Sequence, residues 1–146
     1  MKRLRKAQKY TKRSKSSKFE WEAAPDIKSR ALKLVDILKL DTILFERLFF
    51  YRSQGSKARA YARTWGLPAL WQNALEVEPA YIIEVISAYF DKLSQRDQDK
   101  VILHELTHIP KNFSGALVPH TRHKKGSFHQ KLDELIDRYF ENYKDL

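Results

Sequence analysis

The sequence contains no cysteine and a single methionine, Met1, in 146 residues. The first absence excludes disulfides, thiolate zinc sites and cysteine nucleophiles, so any bound metal must be held by His, Asp or Glu. Long apolar runs are missing as well. None approaches the ~18 to 20 residues of a membrane span, and the basic start lacks the apolar stretch of a secretory signal. The expectation is a soluble, cytoplasmic protein with no membrane partner. The first eighteen residues, MKRLRKAQKYTKRSKSSK, hold no acid but nine Lys or Arg. The remainder carries nineteen cations against eighteen acids, so nearly all of the net charge of +10 belongs to this stretch. With few apolar residues to offset ordering entropy, residues 1–18 read as a disordered basic arm ahead of one nearly neutral domain, residues 19–146. Such an arm is the electrostatic footprint of a polyanion binder, which makes nucleic acid a candidate partner; a solubility or targeting role is the plainer reading.

What is present suffices for one core. Hydrophobic residues make up 42% of the chain, and a chain of about 150 residues buries roughly 70% of its unfolded surface. Ile27, Ala31, Leu34, Val35 and Leu38 recur at three and four residues and predict a first helix from Asp26 to about Leu40, after a short lead-in from Trp21 to Pro25. Phe45 to Tyr51 reads as a strand ended by a turn at Ser53 to Ser56. In ARAYARTW, small residues at 58, 60, 62 and 64 alternate with large ones, predicting a strand packed closely beneath a helix and broken at Gly66-Leu67-Pro68. A short apolar segment follows around Leu70 to Leu75, and Tyr81 to Ser87 predicts another strand. Ser94 with Asp97, and Pro110 at the far end, bound a second helix over Gln95 to His108. Ser127 with Gln130 opens a third, whose stripe is Phe128, Leu132, Leu135, Ile136, Tyr139 and Tyr143. The aromatics Phe49, Phe50, Tyr51, Trp65 and Trp71 are expected in the core. Arg52, Arg59 and Arg63 line a groove or solvate one sheet face.

The chemistry concentrates in His104-Glu105-Leu106-Thr107-His108. Residues four apart on a helix share a face with Cβ atoms about 5–6 Å apart, so both imidazoles can reach one Zn2+ ion. Glu105 lies close enough to that face to act on a water without ligating the metal, while Ile102, Leu103, Leu106 and Ile109 anchor the opposite side. At this chain's own His and Glu frequencies the pattern arises by chance about once in a hundred such sequences. A catalytic zinc normally takes three protein ligands and keeps a fourth position for water. The candidates for the third are His120, His123 and His129, with Asp133 and Glu134 as carboxylate alternatives. Gly115 and Pro119 suggest a turn that returns His120 to the metal. Arg122, His123, Lys124 and Lys125 form a second basic cluster, either a solvated loop or an element favouring acidic or nucleic-acid-bound substrates.

HELTHIPKNFSGALVPH resembles the signature of a family of archaeal and bacterial metallopeptidases related to phage-type ones, in which a HELxHIP helix is followed by an SG-containing loop and a His. Upstream, RSQGSKARAYARTWGLPALWQNAL and PAYIIEVISAYFDKLS are similar to that family's strand region, so the resemblance covers roughly Trp21 to Phe140. More distantly the pattern is similar to SprT-like and minigluzincin proteases. The resemblance implies an α+β, zincin-like fold: a small twisted sheet of three to four strands packed with an N-terminal helix, the HExxH helix and a C-terminal helix. It implies a zinc-dependent peptidase acting on protein or peptide substrates, with Glu105 as general base and substrate paired to the strand Tyr81 to Ser87 or its neighbour. The two likenesses select different third ligands. SprT-like proteins place theirs in a Pro-His pair, matching Pro119-His120; the phage-type relatives place a Phe five residues after theirs, selecting His123 through Phe128. No His stands six residues after His108, and Met1 cannot form a Met-turn. The competing reading is a nucleic-acid-associated protein with a structural or vestigial zinc site; another zinc hydrolase, such as an amidase, would share the same machinery.

Overall fold

The computed structural model describes residues 18–120 and 128–143. Apart from Lys18, the basic arm lies outside the described residues, as do Arg122, His123, Lys124, Lys125 and Ser127. Strands β1 (Glu20–Ala23), β2 (Leu48–Gln54), β3 (Ala62–Gly66) and β4 (Tyr81–Ile86) form a sheet in the order β1-β2-β4-β3. β4 runs parallel to β2 and antiparallel to β3, with Tyr51 opposite Glu84 and Thr64 opposite Ile83. Because side chains alternate across a strand, Leu48, Phe50, Ala62, Tyr81, Ile83 and Val85 are buried on one face. The helices cover that face: α1 (Pro25–Leu38), α4 (Gln95–Thr107) and α5 (Phe128–Tyr143) pack together, α1 against β2 and α4 against β3. Two short helices, α2 (Ala69–Leu75) and α3 (Ser87–Phe90), flank β4 in the chain. The architecture is α+β.

α4, which carries the His-Glu-His pattern, is fixed at its start and along its length. The Ser94 hydroxyl accepts the Asp97 N–H at 3.2 Å, the N-cap its sequence signals. One turn further, Asp99 is buried between α1 and α5: Arg30 donates to it at 2.5 Å and the Tyr139 hydroxyl at 3.0 Å. Arg30 also reaches the Gln98 side chain and the Gln95 carbonyl. A carboxylate held by partners on both neighbouring helices sets the rotation of α4 as well as its position.

Several expectations need correction. β1 occupies what reads as a lead-in. Phe45–Arg47 is a 3₁₀ turn, so β2 starts three residues later than expected and takes in Ser53 and Gln54. The next strand is confined to Ala62–Gly66 and includes the glycine expected to break it, while Leu70 and Leu75 belong to the exposed helix α2. Of the five aromatics assigned to the core only Phe50 is buried; Phe49, Tyr51, Trp65 and Trp71 are exposed. The helices cover one face of the sheet, and Phe49, Tyr51 and Trp65 alternate onto the other. There Glu84, 1% exposed, receives Arg63 at 3.2 Å and the Trp65 indole N–H at 2.8 Å. Those hydrogen bonds outweigh the burial that would raise the Glu84 carboxyl and hold it below its ordinary value. Arg52, expected to line a groove or solvate a sheet face, bridges Asp26 and Asp91.

Candidate metal centre

Four residues apart on α4 and its C-cap, His104 and His108 stack edge to face with ring centroids 5.1 Å apart. The third imidazole arrives from the loop after α4, and local chemistry dictates its path. Gly115 takes φ +93°, a left-handed conformation that favours glycine. The loop also passes so close to the end of β3 that a Cβ at Gly66 would overlap the Gly115 carbonyl, and one at Gly115 would overlap the Leu67 carbonyl. The buried Tyr81 hydroxyl accepts the Gly115 N–H and donates to the Ala116 carbonyl, both at 2.7 Å. Gln72 holds the Leu67 and Ser114 carbonyls at 2.7 and 2.9 Å. Val118 then pairs with His108 twice: its N–H donates to the His108 carbonyl at 2.8 Å, and His108 Nδ1 lies 2.7 Å from its carbonyl. Two residues on, His120 Nε2 stands 2.9 Å from His104 Nε2.

His104, His108 and His120 each offer a ring nitrogen, and these atoms lie within 4.8 Å of one another. Tetrahedral zinc with bonds of about 2.0–2.1 Å separates its nitrogen ligands by about 3.3 Å, so the spacing suits such an ion. The donor chemistry suits it too. A carbonyl can only accept, so His108 Nδ1 carries the hydrogen and its Nε2 keeps a lone pair. Burial lowers His104 to about 4, helped by the charges of His108, His120 and His129. His120 is lowered too, by burial first and then by the charges of His108 and His129, against the opposing charge of Glu105, though part of its ring meets solvent. Imidazoles held neutral at pH 7 are competent metal ligands. Phe128 closes the site from the side, its ring centroid within 4.4–4.9 Å of all three imidazoles.

Glu105 is 5% exposed and lines the same cavity, of about 550 Å3, as the three histidines. Its Oε2 accepts the Thr64 hydroxyl at 2.6 Å. Burial raises its carboxyl above the ordinary value, while the Thr64 hydrogen bond and the His120 charge pull the other way. The other candidates stand apart. His129 is exposed, its ring 5.9 Å from His120, and lies outside the group of three imidazoles; Asp133 is exposed on α5, and Glu134 borders a different cavity. His123 lies outside the described residues.

Thr64, Val118, Tyr81 and Phe128 act here without having been singled out for it in the sequence. The signal for Thr64 was its place on the small-residue side of the strand expected beneath a helix. Among the described residues no helix is long and apolar enough to cross a membrane. No curated protein and no solved structure matches the chain. Residues 19–137 match the family described as "Putative phage metallopeptidase", which takes in all four strands, the helix bearing His104, Glu105 and His108, and the returning loop with His120, and the chain belongs to that family.

Proposed function

We propose that this chain is a zinc-dependent peptidase of zincin-like architecture, with His104, His108 and His120 as ligands and Glu105 as general base. The observation that carries the reading is the meeting, in one cavity, of three imidazoles whose donor atoms lie within 4.8 Å and a buried carboxylate that is not among them. Zinc, when bound there, supplies the Lewis acidity that polarises a peptide carbonyl and acidifies water. The chain's own residues do the rest. Thr64 tethers Oε2 of Glu105, which leaves Oε1 to take the proton of the attacking water and pass it to the leaving amine. A carboxyl raised by burial is a better base for this than an ordinary one. Val118 orients the His108 ring and fixes its tautomer. β4 is paired on both sides, so the strand left to receive an extended substrate is its neighbour β3, whose outer edge borders the cavity from Ala62 to Thr64.

Glu105→Gln tests the role. Zinc should stay bound at one equivalent while cleavage of an unfolded protein substrate is lost; undiminished cleavage refutes the assignment. Nucleic-acid contact through residues 1–18 is a second, compatible property, favoured by nine cations without an acid.

A further inference from the structure

Lys100, His104 and His108 follow one another at intervals of four residues, so their side chains rise from one face of the active helix, a turn apart. Lys100 borders the cavity that holds the imidazoles. The charges around that cavity are unequal. Among the described residues Glu105 is its one acidic wall residue, buried and tethered to Thr64. Arg63 also borders it, but its guanidinium is bound to Glu84. Lys100 is half-buried with its ammonium 5.8 Å from the ring centroid of Phe140. Among the described residues no carboxylate lies within 4 Å of that ammonium. Lys100 shares the Phe140 ring with the Arg96 guanidinium, 4.1 Å from its centroid; a partly buried cation beside a second one, with no carboxylate in reach among the described residues, favours an anion arriving through the cavity.

We infer that Lys100 receives a carboxylate of the substrate, so that the cleft selects peptides carrying a negative group close to the bond to be cut. The inference rests on the peptidase reading for the position of that bond, but carboxylate binding is measurable without any cleavage. Four residues of α-helix advance about 6 Å, and an extended peptide advances about 3.3 Å per residue. His104 thus stands about 6 Å and His108 about 12 Å along the helix from Lys100, so the carboxylate bound by Lys100 sits about two to four residues from the carbonyl presented at the two histidines. An acidic side chain and a free C-terminus both supply that group.

The test is binding to the full-length Glu105→Gln protein, with and without Zn2+, of matched peptides followed by calorimetry. One series carries Glu or Gln at two, three or four residues to either side of a central bond; another carries a free or an amidated C-terminus at the same distances. In at least one series the negative peptide should bind about tenfold more tightly than its neutral isostere, an advantage that shrinks as salt is raised. The series showing it identifies the source of the carboxylate. Lys100→Gln should bring the ratio to about one, and Lys100→Glu should invert it. Equal binding of charged and neutral peptides, or a preference that survives Lys100→Gln, overturns the inference. A carboxylate preference that depends on Lys100 in a protein whose wild-type form cuts no peptide supports the subsite and removes the peptidase reading.

Discussion

Thr64 Oγ1 lies 2.6 Å from Glu105 Oε2 and 3.1 Å from the carbonyl oxygen of the same residue. A hydroxyl has one hydrogen, and the shorter contact gives it to the carboxylate. The strand thus restrains one oxygen of the proposed base and leaves the other for proton transfer. Thr64→Val keeps the shape and removes the donor. Its kcat should fall roughly tenfold with KM and zinc affinity unchanged, at a cost of about 1 kcal/mol in stability. Thr64→Ser should restore most of the rate. Steady-state kinetics beside zinc titration checks this; equal losses in the Val and Ser variants would show that the residue only packs.

The returning loop makes a second prediction. Tyr81→Phe removes the acceptor of the buried Gly115 N–H and the donor to the Ala116 carbonyl. An orphaned buried N–H costs about 1–3 kcal/mol, and a loop released at Gly115 presents His120 less firmly. Zinc affinity should fall about tenfold or more. Gly115→Ala should be worse, since it adds an unfavourable φ and an overlap with the Leu67 carbonyl. Competition against a chromophoric chelator reads both variants; undiminished affinity in Tyr81→Phe would separate the loop lock from the metal.

The metal-free chain should lose stability as pH falls from about 6.5 towards 4. His104 is lowered to about 4 by burial and by its neighbouring histidines, and His120 is lowered too. The unfolded chain therefore takes up these protons first, and stability drains through that window, by roughly 1–2 kcal/mol once solvent exposure is discounted. Glu105 acts in the opposite sense: with its carboxyl raised, the folded chain takes up that proton first and gains stability as pH falls. Asp26 and Glu84, both lowered, give up their contribution only below their ordinary values of 3.8 and 4.5. Glu105→Gln should accordingly steepen the loss between pH 6.5 and 4.5. Thermal melts in the presence of a chelator decide this, and a shallower slope in the variant would contradict it.

The arm predicts a salt-dependent affinity for nucleic acid. Removing residues 1–18 should abolish binding at low salt and flatten the dependence of log affinity on log salt. Fluorescence anisotropy with single- and double-stranded oligonucleotides measures it; a full-length chain that ignores both ends the proposal.

The three long helices were legible because their signals are local, whereas the short α2 and α3 were not read as helices. The stripe from Ile27 to Leu38, the Ser94 cap and the Pro110 stop each act within a turn or two of the residues they organise. The strands were less so. Glu20–Ala23 buries no side chain, and its pairing with β2 depends on residues some thirty positions away. Phe45–Arg47 carries the composition of a strand while forming a 3₁₀ turn, and Ser53 and Gln54 carry that of a turn while pairing in β2. Composition also could not say which sheet face lies open, hence the misplacement of Tyr51 and Trp65. At the candidate centre the two helical histidines and Glu105 stood out from spacing alone. The restraint from Thr64 did not, because its partner is 41 residues away and the two meet only through the register of β3 on β4.

The most direct measurement is the zinc affinity of the wild-type chain beside single alanine variants of His104, His108, His120 and His123. One equivalent retained at neutral pH, lost with each of the first three and kept with His123→Ala, is the predicted result. Failure of the wild type to hold zinc, or a loss that follows His123 and spares His120, would contradict the account.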